Sequence, residues 1–241
     1  MTSGSGAGPC RGIDSPREKE SQLPPADYHD YFIKDGRHIG RYEDMYRDCP
    51  DPWRIEELGP RLDMRAAALL LAGRGRAVGS FLDIGAGLGL FTKILTEALW
   101  AENPEITGVV TDISATAVAR AEARLADPRL RFQALDVRNL GAASLPEKQF
   151  DLVVMAQVLW GIVEDIDSVL AAVAALLSPG GLLLFSQHFP GAERQTYGAD
   201  IICRPEDLAA RLTAAGFTVS RTLETDRAFN HHWAALAVGK N

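Results

Sequence analysis

The chain has 241 residues, and its 25 Lys+Arg against 32 Asp+Glu give a net charge of −7. That length suits one sizeable α/β domain, while 46% hydrophobic and 24% charged residues exclude a disordered, collagenous or fibrous chain. The acidic balance removes the uniform attraction that a general nucleic-acid binder needs, so the expected partner is a small or cationic molecule and not a nucleic acid.

Cys10, Cys49 and Cys203 stand singly, without CxxC or Cys/His spacing. Neither a disulfide framework nor a metal site is expected. No segment reaches the roughly 18 to 20 apolar residues of a membrane span, and residues 1–15 lack the apolar core of a signal peptide. The expectation is a soluble, cytoplasmic protein without membrane contact.

In chain order, residues 1–26 are rich in Gly, Ser, Pro and charge, a composition that does not offset the entropy of ordering, and read as a disordered tail. Residues 27–75 form a preface to the main domain. It begins with aromatics and charges (DYHDYFIKDGRHIGRYEDMYRDCPDPW) and ends in an amphipathic helix over 56–72 with Leu58, Leu62, Ala66, Leu69 and Leu70 on one face.

From residue 76 short apolar runs alternate with helical stretches. Strands are expected at 79–84, 106–111, 130–135, 150–156, 181–187, 217–223 and 232–238, with helices near 88–101, 114–126, 165–177 and 205–215. The stretch 138–148 reads as irregular. Strands apolar on both faces and separated by helices describe a doubly covered parallel sheet. Only about eight residues part the last two strands, too few for a helical crossover, so that pair should be antiparallel.

The most informative stretch is Phe81-Leu-Asp-Ile-Gly-Ala-Gly-Leu-Gly-Leu90, a buried strand running into a glycine turn and a helix. Gly85, Gly87 and Gly89 permit close backbone approach, and the amides that open the helix face a ligand above the strand end. Leu90 stands where the dinucleotide fingerprint needs its third glycine, which disfavours an NAD(P)-dependent oxidoreductase. Asp83 adds a carboxylate to an apolar strand, where it needs a partner to be tolerated and suits a cationic group.

The D-x-G-x-G-x-G run resembles the first motif of the class I S-adenosylmethionine (SAM) dependent methyltransferases, from about Val78 to the C-terminus. The resemblance implies a Rossmann-like, seven-stranded, mostly parallel sheet with an antiparallel last strand, helices on both faces and the preface as an N-terminal helical lid. It also implies SAM as cofactor. On it, Asp112 with Ile113 (TDIS) corresponds to the ribose-binding position and Asp136 with Val137 (LDVRNL) to the adenine-binding position. Gln157, in the loop after the fourth strand, passes under the methionine part.

Leu177-Ser-Pro-Gly-Gly-Leu182 is similar to the family's turn before the fifth strand. Either Asp112 or Asp136 fits equally well as an N-cap or Asx-turn residue.

An alcohol or phenol acceptor gains from a general base, whereas an amine must only be neutral when it attacks. His188 (FSQHFP) is the favoured candidate, with His231 and His232 as others. The acceptor wall is expected from Tyr42, Tyr46, Trp160, His188, Tyr197 and His231. Tyr42 and Tyr46, four residues apart, share a helical face.

The sequence after the fourth strand, MAQVLWGI, lacks the Asn/Asp-Pro-Pro-aromatic motif of nucleic-acid amino methyltransferases, the Asp cluster of catechol-type enzymes and the paired glutamates of arginine-modifying ones. YEDMYRDCPDPW loosely resembles NodS-like and natural-product methyltransferases. The implied acceptor is a small metabolite, a sugar or secondary metabolite, methylated on N or O. A non-catalytic SAM-binding module is the remaining alternative.

Overall fold

The computed structural model describes residues 28–55, 62–142, 145–190, 197–225 and 231–239. The expected tail 1–26 and Leu58 lie outside them. Seven strands form one sheet: β1 (Ser80–Ile84), β2 (Thr107–Asp112), β3 (Leu130–Ala134), β4 (Phe150–Ala156), β5 (Leu177–His188), β6 (Phe217–Glu224) and β7 (His232–Gly239). Their spatial order is β3-β2-β1-β4-β5-β7-β6. Pairings from β3 through β5 are parallel, while β7 runs antiparallel to both β5 and β6.

Alternation along each strand feeds two cores. Leu82, Val153, Met155, Leu183 and Phe185 face one way, against α6 (Ile166–Leu176) and α7 (Pro205–Ala214). Phe81, Leu152, Val154, Leu182 and Leu184 face the other, against α2 (Leu62–Leu69) and α3 (Leu90–Glu102). Side chains alternate with period two, so a strand apolar at every position must be covered on both sides. This is the mostly parallel, doubly covered α/β sheet expected from the sequence.

Three regions depart furthest from expectation. β5 begins at Leu177, four residues early, and takes in Ser178-Pro-Gly-Gly181; Phe150 pairs with Leu177 across a register shift before Leu152 pairs with Leu182. Arg76 anchors this extension by donating to the Ser178 hydroxyl, the Pro179 carbonyl and Asp151.

The described part of the 56–72 helix ends at Leu69, whose side chain is 69% exposed instead of buried; Met64, Ala67, Ala68, Leu70 and Leu71 pack inward. The irregular stretch 138–148 holds a short 3-10 segment, Val137–Ala142, and a one-turn helix α5 (Leu159–Ile162) precedes α6.

The preface is built from aromatic packing. It comprises a 3-10 turn Tyr28–Asp30, a two-residue ribbon pairing Ile33–Lys34 with Arg37–His38, and α1 (Tyr42–Asp48). Met45 and Tyr46 of α1 bury against Leu88 and against Ala117 of α4 (Ala115–Leu125). Glu43 fastens α1 in place: its carboxylate accepts from Ser114 Oγ at 2.7 Å and from Thr116 Oγ1 at 2.6 Å. Those donors hold the exposed Glu43 carboxyl down at about 2.

Candidate active site

β1 delivers the chain to a turn in which Gly85, Gly87 and Gly89 all take positive φ, at 71°, 55° and 74°. The space is as restrictive as the dihedrals. A Cβ on Gly85 would lie 2.2 Å from Val158 Cγ1, and one on Gly87 would lie 2.8 Å from the Tyr46 hydroxyl oxygen. Gly85 and Gly87 line a cavity of about 1380 Å³ that opens at the C-terminal ends of the parallel strands. In open α/β sheets this is where ligands bind. Gly89 is the N-cap of α3, packed against Ala121 and Leu125, and is not among the lining residues, so it shapes the turn without facing the cavity.

Three aspartates from successive strand ends line the same cavity. Asp83 is 1% exposed, and its Oδ2 accepts from Thr92 Oγ1 at 2.6 Å. Burial pushes its carboxyl up to about 6, opposed by the Thr92 bond and assisted by the Asp112 charge. Asp112, at the end of β2, accepts from Gly87 N on Oδ2 and from Ser114 N on Oδ1, both at 2.9 Å. Burial raises its carboxyl while these amides lower it. The Ser114 contact is an Asx turn, whereas the cap of α4 itself is Ser114, whose side chain accepts from Ala117 N.

Asp136 is gripped by Arg138, whose Nε and Nη2 donate at 2.9 and 2.6 Å and whose backbone amide donates at 3.0 Å. The Arg138 guanidinium holds the Asp136 carboxyl below the usual range. Ile113 is 39% exposed beside them, and Val137 is buried at the cavity wall.

Opposite the turn, Gln157 adopts positive φ of 61° after β4, and its Oε1 accepts from His188 N at 3.0 Å. Gln187 Oε1 accepts from Leu159 N at 3.0 Å. Trp160 Nε1 donates to the His188 carbonyl at 3.2 Å. This side-chain lattice fixes the loop after β4 to the end of β5, and Gln157, Trp160 and His188 all line the cavity.

Residues 82–183 match the methyltransferase domain family. That stretch carries the glycine turn, Asp83, Asp112 and Asp136, so the resemblance to SAM-dependent methyltransferases falls on the cavity-lining strand ends.

Among curated relatives, the chain is 36% identical over 115 residues to a highly reducing polyketide synthase of Aspergillus niger, covering 44% of this chain and 4% of that protein. It is 31% identical over 164 residues to a ubiquinone biosynthesis O-methyltransferase of Bordetella avium, covering 61% and 64%. The aligned region thus spans less than two thirds of either relative. Among solved structures, the N-methyltransferase NodS of Bradyrhizobium japonicum, in complex with S-adenosylhomocysteine (SAH), superposes with a TM-score of 0.65 at 23% identity. That match covers 83% of this chain and 98% of NodS.

The residues that line the cavity fit a SAM-like ligand. Asp112 keeps lone pairs beyond the two amides it accepts from, as binding of a vicinal diol demands. Without a side chain at Gly85, Val158 packs directly on the turn, and the backbone there stays at the cavity wall. Asp83 supplies a buried carboxylate in which a cation would find a partner.

The preface closes the remaining side of the cavity. Tyr46 is 4% exposed and accepts from Trp53 Nε1 at 3.0 Å; Tyr42 meets His38 Nε2 at 2.9 Å. Burial pushes both phenols above their usual range. Tyr197 stacks on His38 with centroids 5.5 Å apart, and burial with the neighbouring Glu164 carboxylate raises it to about 12. Tyr42, Tyr46, Trp160, His188 and Tyr197 therefore line one cavity.

His231 does not. It lies outside the lining, with Nε2 2.6 Å from Glu224 Oε1, while its neighbour His232 lines the cavity instead. Asp63 and Arg138, which sequence reasoning missed, line it too. Arg138 was recoverable as the i+2 partner of an Asx turn; for Asp63 no local signal existed.

The raised Asp83 carboxyl makes ligand binding at this cavity depend on pH. A carboxyl lifted to about 6 by burial is partly protonated in the free site below that value, and a cationic ligand requires the charged form. Binding then releases a proton at low pH, so affinity rises with pH and levels off above the shifted value. Calorimetry should show SAH, whose cationic group is its α-ammonium, binding about tenfold tighter at pH 7 than at pH 5, the change for one proton linked to a group near 6. Asp83→Asn should flatten the profile; a flat wild-type profile would remove Asp83 from ligand binding.

Proposed function

We propose that the protein transfers a methyl group from SAM to an N or O atom of a small, ring-bearing metabolite. The observation that carries this reading is the continuity of one cavity, from the Gly85–Asp112 cradle to a chamber walled by Phe32, Tyr42, Trp53, Trp160 and Tyr197. In it, Asp112 holds the two ribose hydroxyls, Ile113 covers the adenine, and Val137 lies against the base. Asp136 receives the adenine amine as an added donor beside Arg138. Gly85, Gly87 and Gln157 frame the amino-acid portion, with Asp83 as the fixed negative charge beneath.

SAM supplies a methyl already activated on a sulfonium. The chain's own task is to align an acceptor lone pair and to exclude water. Residues 28–55 act as the lid in this reading: Glu43 docks α1 on α4, and Tyr46 places its ring against the glycine turn. Aromatic faces suit both a cationic centre and a flat acceptor.

One curated relative is an O-methyltransferase by name and one solved neighbour an N-methyltransferase, which supports transfer to a heteroatom without choosing between them. Leu90 in place of a third glycine and Asp83 beneath the turn disfavour a dinucleotide pyrophosphate.

The test is calorimetric titration with SAH and with NADH, followed by incubation of methyl-labelled SAM with a panel of phenols, amino sugars and polyketide-like alcohols. SAH should bind in the micromolar range and NADH weakly, with label transferred to at least one acceptor class. Tight NADH binding with no SAH heat would overturn the cofactor, and SAH binding with no transfer would leave a binding module.

A further inference from the structure

Two imidazoles and a carboxylate from three separate elements meet in the cavity. His188 ends β5 and pairs in register with His232, the first residue of β7. Their ring centroids are 4.9 Å apart at 45°. Behind His232, Asp63 of α2 brings Oδ2 to 3.2 Å from His232 Nδ1, with the two side chains only 4% and 9% exposed. All three residues line the cavity.

A buried carboxylate is costly, and it stays in an apolar site when something nearby makes use of its charge. Beside an imidazole it favours the tautomer with the proton on Nδ1, so that Nε2 becomes the accepting end and the ring becomes more basic. The 3.2 Å contact is bent from hydrogen-bond alignment. Catalytic pairs commonly show this before their ligand tightens them. The adjacent His231–Glu224 pair lies outside the cavity lining.

We propose that His232, oriented by Asp63, is the general base of the acceptor chamber, and that the acceptor atom is a hydroxyl oxygen on an apolar, ring-bearing body. The proposal rests on the methyltransferase reading above. A hydroxyl is the acceptor whose attack gains from a base within reach, because it must lose a proton as it is methylated. As the O–CH₃ bond forms and the donor's S–CH₃ bond breaks, the hydroxyl proton passes to His232 Nε2. The donor's positive charge thereby ends as an imidazolium facing the Asp63 carboxylate, and the proton leaves to solvent with the product. His188 then packs the base from the β5 side and is not itself the base favoured from the sequence. Asp63 acts as a positioning residue.

The test uses the full chain with ¹⁵N-labelled histidine and saturating SAH, with the His232 ring signals assigned through His232→Gln. Expected are a protonated Nδ1 and a bare Nε2. Titration with phenol, the simplest ring-borne hydroxyl, should shift Nε2 saturably, whereas benzylamine should not. Asp63→Leu should weaken the phenol response at least fivefold and move the proton toward Nε2, while Asp63→Asn, which still accepts a hydrogen bond, should keep the wild-type tautomer.

A bare Nδ1, no saturable phenol shift, a benzylamine shift instead, or a tautomer unchanged in Asp63→Leu would each overturn the proposal. The heat of SAH binding separates the two readings. Its absence from the wild-type protein sinks the cofactor assignment, whereas intact SAH binding with a silent His232 sinks only the base.

Discussion

Gly85→Ala should cost the protein about 2–5 kcal/mol of stability and most of its SAH affinity, and the loss should be partly restored by shortening one distant side chain. Two independent terms add at this position. The backbone sits at φ 71°, and a Cβ in left-handed geometry costs roughly 1–2 kcal/mol. The new methyl would also lie 2.2 Å from Val158 Cγ1, and forcing an extra methyl into a packed site costs about 1–3 kcal/mol.

Valine is stiff at χ1 and has no flexible end to swing aside, so the strain is passed to the loop after β4 and to the Gln157–His188 bond beside it. At this chain length a loss of that size lowers Tm by on the order of 10 °C.

Removing the Val158 methyls leaves its Cβ as the nearest atom, 3.5 Å from the added methyl, an ordinary contact. The double variant Gly85→Ala/Val158→Ala should therefore recover the steric share and retain the backbone share. Thermal and denaturant unfolding of the four proteins give the coupling directly. Strict additivity would mean that the two residues do not share the space the structure gives them.

The fold was legible because its determinants are local and repeated. The runs at β1, β4 and β5 are apolar at consecutive positions, and a strand of that kind has only one stable setting, between two layers. The glycine turn was legible for a related reason, since positive φ and close approach leave few residue choices.

What escaped reading depends on contacts remote in sequence. Leu69 looked like part of an apolar helical face, but helix periodicity does not say where a neighbouring layer ends, and that side chain projects past it. Ser178-Pro-Gly-Gly181 has the composition of a turn, yet the Arg76 side chain, 102 residues before Ser178, captures it as strand. His231 and His232 are chemically identical, and neighbours at a strand entry point to opposite sides. Only the register that places His232 against His188 decides which of them the cavity receives. Asp63 belongs to no motif, and its meaning comes from β7 passing beside α2.

Asp112→Ala should raise the SAH dissociation constant tenfold or more, with the penalty confined to ligands that carry both ribose hydroxyls. The carboxylate is placed by two backbone amides, Gly87 N and Ser114 N, which fix both oxygens at the cavity rim and leave their outer lone pairs for a diol. Hydrogen bonds to a charged group contribute roughly 1.5–3 kcal/mol, which sets the size of the expected loss.

The same substitution also strands the two amides, so a loosened glycine turn would weaken every ligand and could imitate the effect. Comparing SAH with its 2′-deoxy analogue separates the two causes. If Asp112 binds the diol, the wild-type preference for SAH over the deoxy compound collapses in Asp112→Ala, and Asp112→Asn, which keeps one acceptor oxygen, falls between. If the turn alone is damaged, both ligands weaken equally and the preference survives, and Asp112 then serves the cavity only as the Asx-turn residue that its bond to Ser114 N already makes it.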